Sequence, residues 1–303
     1  MKKFFSCVVL TLCMLLGFGI DAVNAGALTE SVSQNLKIQQ WQGHNFTFMS
    51  LPDDKQAAGY SIFKAENASR GFQGDVAVRI PYATHVGKQA VVTDVVPFDA
   101  GYGIREYMVY LTVVDTGEKL VARSMRSQVN GLVLTADLKN ARKQFMGKTV
   151  YSKLRELPGL ATAGNPMPQA VSVGIGAPVV VTDVYPGIQI QDPIWLVVTA
   201  ANGQKAVLPM NYSWTNMPQV FWNDRPAWQD DLFLEDPHKT FNWSSDMWKQ
   251  IETANVTVGM FKEQVRLSWG EASDMEQDGF VWIYGDKKLT FNGDILISIA
   301  TRS

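Results

Sequence analysis

The chain reads as mainly β: two tandem small β-barrel units, followed by an α+β module of two helices packed on a three-stranded antiparallel meander. Three observations predict this. Val92-Thr93-Asp94-Val95-Val96-Pro97 returns as Val181-Thr182-Asp183-Val184-Tyr185-Pro186, 89 residues later. Both copies lie among short β-branched runs bounded by Gly, Pro or Asp, the composition of strands and tight turns. In residues 244–303, Phe261, Val265 and Trp269 recur every four residues, one face of a helix, ahead of three further apolar runs.

The first 25 residues precede this pattern. Met1-Lys2-Lys3 is basic, Phe4 to Ile20 is apolar, and Val23-Asn24-Ala25 ends in small residues. This is the pattern of a secretory signal cleaved after Ala25. It predicts an exported protein, periplasmic or extracellular, with no stable membrane span once the signal is gone. Residues 26–71 read as a short β-rich N-terminal segment around Trp41, Phe46, Phe48 and Gly59 to Phe63.

Unit one is expected over 72–140, with strands at Val76 to Ile80, Ala90 to Val96, Tyr107 to Val114, Lys119 to Arg123 and Gly131 to Ala136. Asp115-Thr116-Gly117 makes a hairpin turn, and the charged residues 139–144 form a link. Unit two is expected over 141–218. Asn202-Gly203 stands at its matching hairpin and favours a type I′ turn. Leu111-Thr112-Val113-Val114 corresponds to Leu196-Val197-Val198-Thr199 at an offset of 85, so the intervening loop differs in length by four residues. Constant strands around a variable loop are what a duplicated unit leaves behind. Five or so short strands in about 70 residues point to a small barrel. In size and strand order the units resemble bacterial SH3-like domains.

Residues 219–243 read as an aromatic linker, and 244–303 as the α+β module. Ser244 or Ser245 caps a helix carrying Met247, Trp248 and Ile251. Gly270 ends the second helix. Gly285-Asp286 and Asn292-Gly293 turn the meander. Val258-Gly259-Met260-Phe261-Lys262-Glu263-Gln264-Val265, followed by Trp269-Gly270 and a Trp/Tyr strand, resembles the BamE/SmpA-type module of bacterial envelope proteins, whose fold is similar to that of β-lactamase-inhibitor proteins. The resemblance covers roughly 244–299. It departs from the family at Glu271-Ala272, where Pro is common, and in the lack of a lipid-anchor site. It implies a scaffold for protein contacts in the envelope and carries over no catalytic residue.

Composition narrows the chemistry. Removing Lys2, Lys3 and Asp21 from 27 basic and 29 acidic residues leaves a net charge of −3. Nucleic-acid binding needs a clustered basic surface, and no such cluster occurs. Both cysteines, Cys7 and Cys13, lie in the signal, which leaves no disulfide, thiolate metal site or cysteine nucleophile. His44, His85 and His238 lack metal-ligand spacing, and no nucleophile elbow, phosphate loop or dinucleotide motif is present. The expectation is therefore no catalytic residue, no metal and no cofactor. Asp94 and Asp183, at equivalent repeat positions, read as strand-end hydrogen-bonders.

The candidate binding surface is Trp214, Trp222 and Trp228, placed among Pro and Asp; the favoured reading of these rings is nevertheless a wedge between the second unit and the C-terminal module. The favoured reading is a non-catalytic envelope protein that binds a protein partner or cell-wall glycan. Asp230-Asp231 and Glu235-Asp236 beside these aromatics support an alternative, a carboxylate-dependent hydrolase of envelope polysaccharide. A third reading, inhibition of a secreted enzyme, rests on likeness of fold.

Overall fold

The computed structural model describes residues 36–125, 128–162, 164–188, 192–210 and 232–302. Residues 1–25, expected as a signal, and Trp214, Trp222 and Trp228 lie outside the described residues, as do Asp230 and Asp231. The chain is mainly β, with a curled antiparallel half-barrel sheet and additional sheets.

The first sheet contains β1 (Asn45–Phe48), β2 (Tyr60–Lys64), β3 (Arg79–Ile80), β4 (Gln89–Asp99), β5 (Arg105–Val113), β6 (Lys119–Arg123) and β7 (Leu132–Leu134), in the order β3-β2-β6-β5-β4-β1-β7. The second part supplies β8 (Thr149–Ser152), β9 (Glu156–Leu157), β10 (Val171–Ser172), β11 (Pro178–Pro186), β12 (Ile194–Thr199), β13 (Lys205–Met210) and β14 (Leu232–Phe233). Five of these form a sheet in the order β13-β12-β11-β8-β14, while β9 and β10 pair with each other.

The two larger sheets share one arrangement: β6-β5-β4-β1-β7 matches β13-β12-β11-β8-β14 strand for strand. The match extends to irregularities. The β4–β5 register shifts between Val92 and Asp94, and the β11–β12 register shifts between Val181 and Asp183. The shift falls at Thr93 and Thr182, whose hydroxyls donate across the bulge to Tyr110 O at 3.3 Å and Val197 O at 3.2 Å. Asp94 and Asp183 accept the next backbone N–H, at 2.8 and 2.7 Å. A bulge leaves a backbone group unpaired, and a short carboxylate one residue away satisfies it. Gly43 and Gly147 donate equivalently to Val92 O and Val181 O, as do Gly87 and Gly176 to Phe48 O and Ser152 O.

This arrangement corrects two expected boundaries. Residues 26–71 are expected as a separate β-rich N-terminal segment, yet β1 pairs with β4 and β2 with β6. The first repeat therefore begins near Gly43 rather than at 72, because β1 is the counterpart of β8. The expected link 139–144 lies inside a helix, α1 (Thr135–Phe145), so the boundary at 140 cuts through it. Leu138, Ala141 and Phe145 bury one face of α1 in the second core. Smaller differences follow from turn chemistry. Val76–Val78 is a 3-10 turn, and only Arg79–Ile80 is extended. At Asn202-Gly203 only Gly203 has positive φ, +80°, so the turn is not type I′, which needs both central residues there.

Alternation on β7 joins the halves. Leu132 and Leu134 enter the first core with Trp41, Phe46 and Leu111, while Val133 enters the second with Val181, Leu196 and Leu208. Side chains two apart share a face, so one short strand walls both interiors.

The C-terminal part contains α2 (Ser245–Glu252), α3 (Lys262–Trp269), β15 (Asp274–Glu276), β16 (Val281–Tyr284), β17 (Lys287–Asn292) and β18 (Ile295–Thr301). Its sheet has four strands in sequence order, one more than the expected meander. Ser244 caps α2 by accepting Met247 N–H at 3.2 Å. Gly270 ends α3 at φ +81°. Met260 is fully buried with Val265, Trp282 and Leu289. No helix among the described residues is long and apolar enough to cross a membrane.

Candidate functional site at the junction of the second sheet and the C-terminal helices

The C-terminal helices dock on the second sheet through a small set of contacts. The Gly174-Ile175-Gly176 turn leads into β11, and Ile175 is buried with Ile251 of α2 and Leu267 of α3. Both glycines have positive φ, and Gly176 also gives way to a neighbour. A Cβ on Gly176 would lie 2.6 Å from His238 Cε1, a distance no packed side chain tolerates. Glu252, at the end of α2, accepts the Ile175 N–H at 2.9 Å. The Arg155 guanidinium donates to Glu252 O at 2.7 Å, to Ser268 O at 2.9 Å and to Ile251 O. Those carbonyls belong to the last turns of α2 and α3, where backbone donors run short; Ile251 O also accepts the Ala254 N–H at 3.1 Å. A cation there also complements both helix dipoles.

A row of rings borders this contact. Phe241 and Trp243 stack with centroids 4.3 Å apart and planes within 8°. Trp243 lies 5.0 Å from Trp248, and Trp248 lies 4.2 Å from the His238 ring. Phe233 extends the row, 5.8 Å from Phe241, under the Lys153 ammonium. These residues are half-buried or exposed, so the row is partly open to solvent.

Beside it lies a cleft of about 550 Å³, walled by Tyr151, the 173–178 backbone, His238, Trp248 and the carboxylates Asp236 and Glu252. That volume is ordinary for a small-ligand site. A second depression of about 460 Å³ lies on the β4–β5 hairpin. Its carboxylate, Asp99, accepts Gly101 N–H within the turn, and its one lining ring, Phe98, is covered by the Arg123 guanidinium at 4.9 Å. The junction cleft is therefore the better candidate.

Both junction carboxylates already have structural partners. Asp236 caps the turn of Pro237–Thr240 by accepting His238 N–H at 3.1 Å, and it pairs with Lys239 at 3.3 Å and His238 Nδ1 at 3.5 Å. Burial pushes its pKa up, but the hydrogen bonds from Lys239 and the His238 backbone outweigh this and hold it below the usual carboxylate value. The Trp248 indole N–H is buried and has no hydrogen-bond partner among the described residues.

The other histidines lie elsewhere. His44 is exposed just before β1. His85 is buried in the first repeat, with Nε2 2.9 Å from Glu118 Oε2 and Nδ1 3.0 Å from Thr84 Oγ1. Burial raises the Glu118 pKa, but bonds from His85 and Lys64 overcome this and leave it lowered. Asp94 and Asp183 lie in separate bulges. No cluster of three or more metal-ligating side chains occurs among the described residues.

The expected surface, Trp214, Trp222 and Trp228, falls outside the described residues. Sequence reasoning passed over Phe233, Phe241, Trp243 and Trp248 as a group, and over Arg155. The aromatic density that singled out 214–236 continues to Trp248, a signal that was there to be read. No sequence signal marks Arg155, whose partners lie about a hundred residues away. Comparison with protein-family models, with curated proteins and with solved structures finds no match.

Proposed function

We propose that this chain is a non-catalytic recognition module of the bacterial envelope, exported through its N-terminal signal, which binds a partner protein or cell-wall glycan. In this reading the repeated sheets are tandem small barrels of SH3-like type, and the C-terminal part is a BamE-like module. Their junction offers the binding face. The observation that carries the proposal is the junction itself. Open aromatic rings border a cleft whose two carboxylates are engaged in holding the fold.

A general acid needs a raised pKa, and a general base needs a free lone pair aimed at the bound molecule. Asp236 has a lowered pKa and is committed to a cap and an ion pair. Glu252 holds the Ile175 N–H with one oxygen. Phe233, Trp243 and Trp248 pack on Ile175, Ile251 and Leu267 yet keep part of their surface open, and aromatic surface is the usual anchor of recognition sites. The test incubates the purified protein with envelope extract and with isolated cell-wall material. Specific retention without release of new reducing ends or peptides supports the proposal. Turnover of the wall material without retention refutes it and restores the hydrolase alternative.

A further inference from the structure

We infer that the junction row and cleft form a platform for a neutral or N-acetylated sugar chain, a ligand class that deepens the recognition reading and rests on it. Three features point to sugar rather than protein. The rings of Phe241, Trp243, Trp248 and His238 form a continuous series with centroid spacings of 4.3, 5.0 and 4.2 Å. A sugar ring has an apolar C–H face and a rim of hydroxyls. It therefore needs an aromatic surface flanked by hydrogen-bonding groups.

The flank supplies such groups. Glu252 and Asp236 line the cleft with acceptor oxygens, and Lys249 and Tyr151, side chains able to donate, line it with them. An apolar protein anchor would instead meet carboxylates at the cleft wall and leave them desolvated, at a cost. The third feature is charge. Asp236 pairs with Lys239, while Lys249 and the Arg155 guanidinium lie near Glu252, so the cleft mixes both signs and lacks the one-signed basic surface that holds a polyanion. A neutral chain loses nothing by this mixture.

The experiment measures binding of soluble N-acetylglucosamine pentamer and of a neutral β-glucan hexamer by calorimetry, with polygalacturonate as the anionic probe. It compares the parent chain with Trp243→Ala and His238→Ala. His238 is half-exposed and its cap bond to Asp236 runs through the backbone N–H, which alanine retains, so its replacement is expected to keep the fold even if Trp243→Ala perturbs it. The expected result is binding of at least one neutral probe, weakened about tenfold by Trp243→Ala and several-fold by His238→Ala, as loss of ring contacts entails. Stronger binding of polygalacturonate than of either neutral probe overturns the ligand class. Equal affinity in parent and His238→Ala overturns the site. If no sugar binds while the same variants lose a cross-linked envelope protein, the sugar inference fails and the recognition reading survives. If the neutral probe is cleaved, the recognition reading itself fails.

Discussion

Arg155 is the contact whose removal says most about how the C-terminal helices are held. Its guanidinium serves three carbonyls at the ends of two helices. A hydrogen bond to a charged donor contributes about 1.5–3 kcal/mol when buried. Three such bonds cannot be summed at full value, because the side chain is only half-buried and water replaces part of what is lost. Arg155→Ala is therefore expected to cost the docked helices about 2–4 kcal/mol. Arg155→Lys should recover less than half of that, since an ammonium lacks the planar fork that reaches carbonyls on two helices. Because local opening need not follow global unfolding, a single global unfolding free energy is the wrong readout. Hydrogen exchange of the amides in 245–252 and 262–269 is the right one. A loss of 2–4 kcal/mol there accelerates exchange by about 30- to 900-fold, while the first sheet keeps its protection. Unchanged exchange in α2 and α3 would refute the clamp.

Other substitutions test neighbouring parts of the account. Gly176→Ala combines a positive φ with a Cβ 2.6 Å from His238, so it should cost about 1–3 kcal/mol and displace the His238 ring, visible as changed imidazole shifts by NMR. Trp248→Phe keeps a ring in the row and removes a buried N–H that has no partner among the described residues, so thermal stability should hold or rise by up to about 1 kcal/mol. Asp94→Ala and Asp183→Ala remove the same bulge bond from each repeat; each should cost about 0.5–1.5 kcal/mol in denaturant titration, with the larger loss at Asp183, which also meets Arg142. Glu118 has a lowered folded pKa, so its contribution is complete above the ordinary glutamate value of 4.5 and fades as pH falls through the lower folded value. Glu118→Gln should therefore flatten the loss of stability on acidification below about pH 4.5, followed by circular dichroism.

The repeat was legible because its strands alternate β-branched and polar residues around fixed Gly turns, a local signal. Where pairing is non-local, the same reasoning stops. Nothing near Asn45–Phe48 says that it pairs with β4 and β7, one on either side, so the first repeat was begun too late. Helix α1 was missed because Leu138, Ala141 and Phe145 are few among charged residues, although their spacing is helical. The C-terminal helices were legible in detail, since Ser244 and Gly270 punctuate them with caps that depend on local chemistry. The junction was the least legible part. Isolated glycines at 174 and 176 read equally well as a plain turn, and only the packed structure places His238 against one and Glu252 against the other.

The most direct test of the account places the binding face. Hydrogen exchange of the full chain, with and without solubilised cell-wall fragments or a captured envelope partner, should give new protection at 173–178 and 233–252. Elsewhere the pattern should stay unchanged. Protection confined to the β4–β5 hairpin around Tyr102, or to the β18 edge, would contradict the junction as the site of recognition.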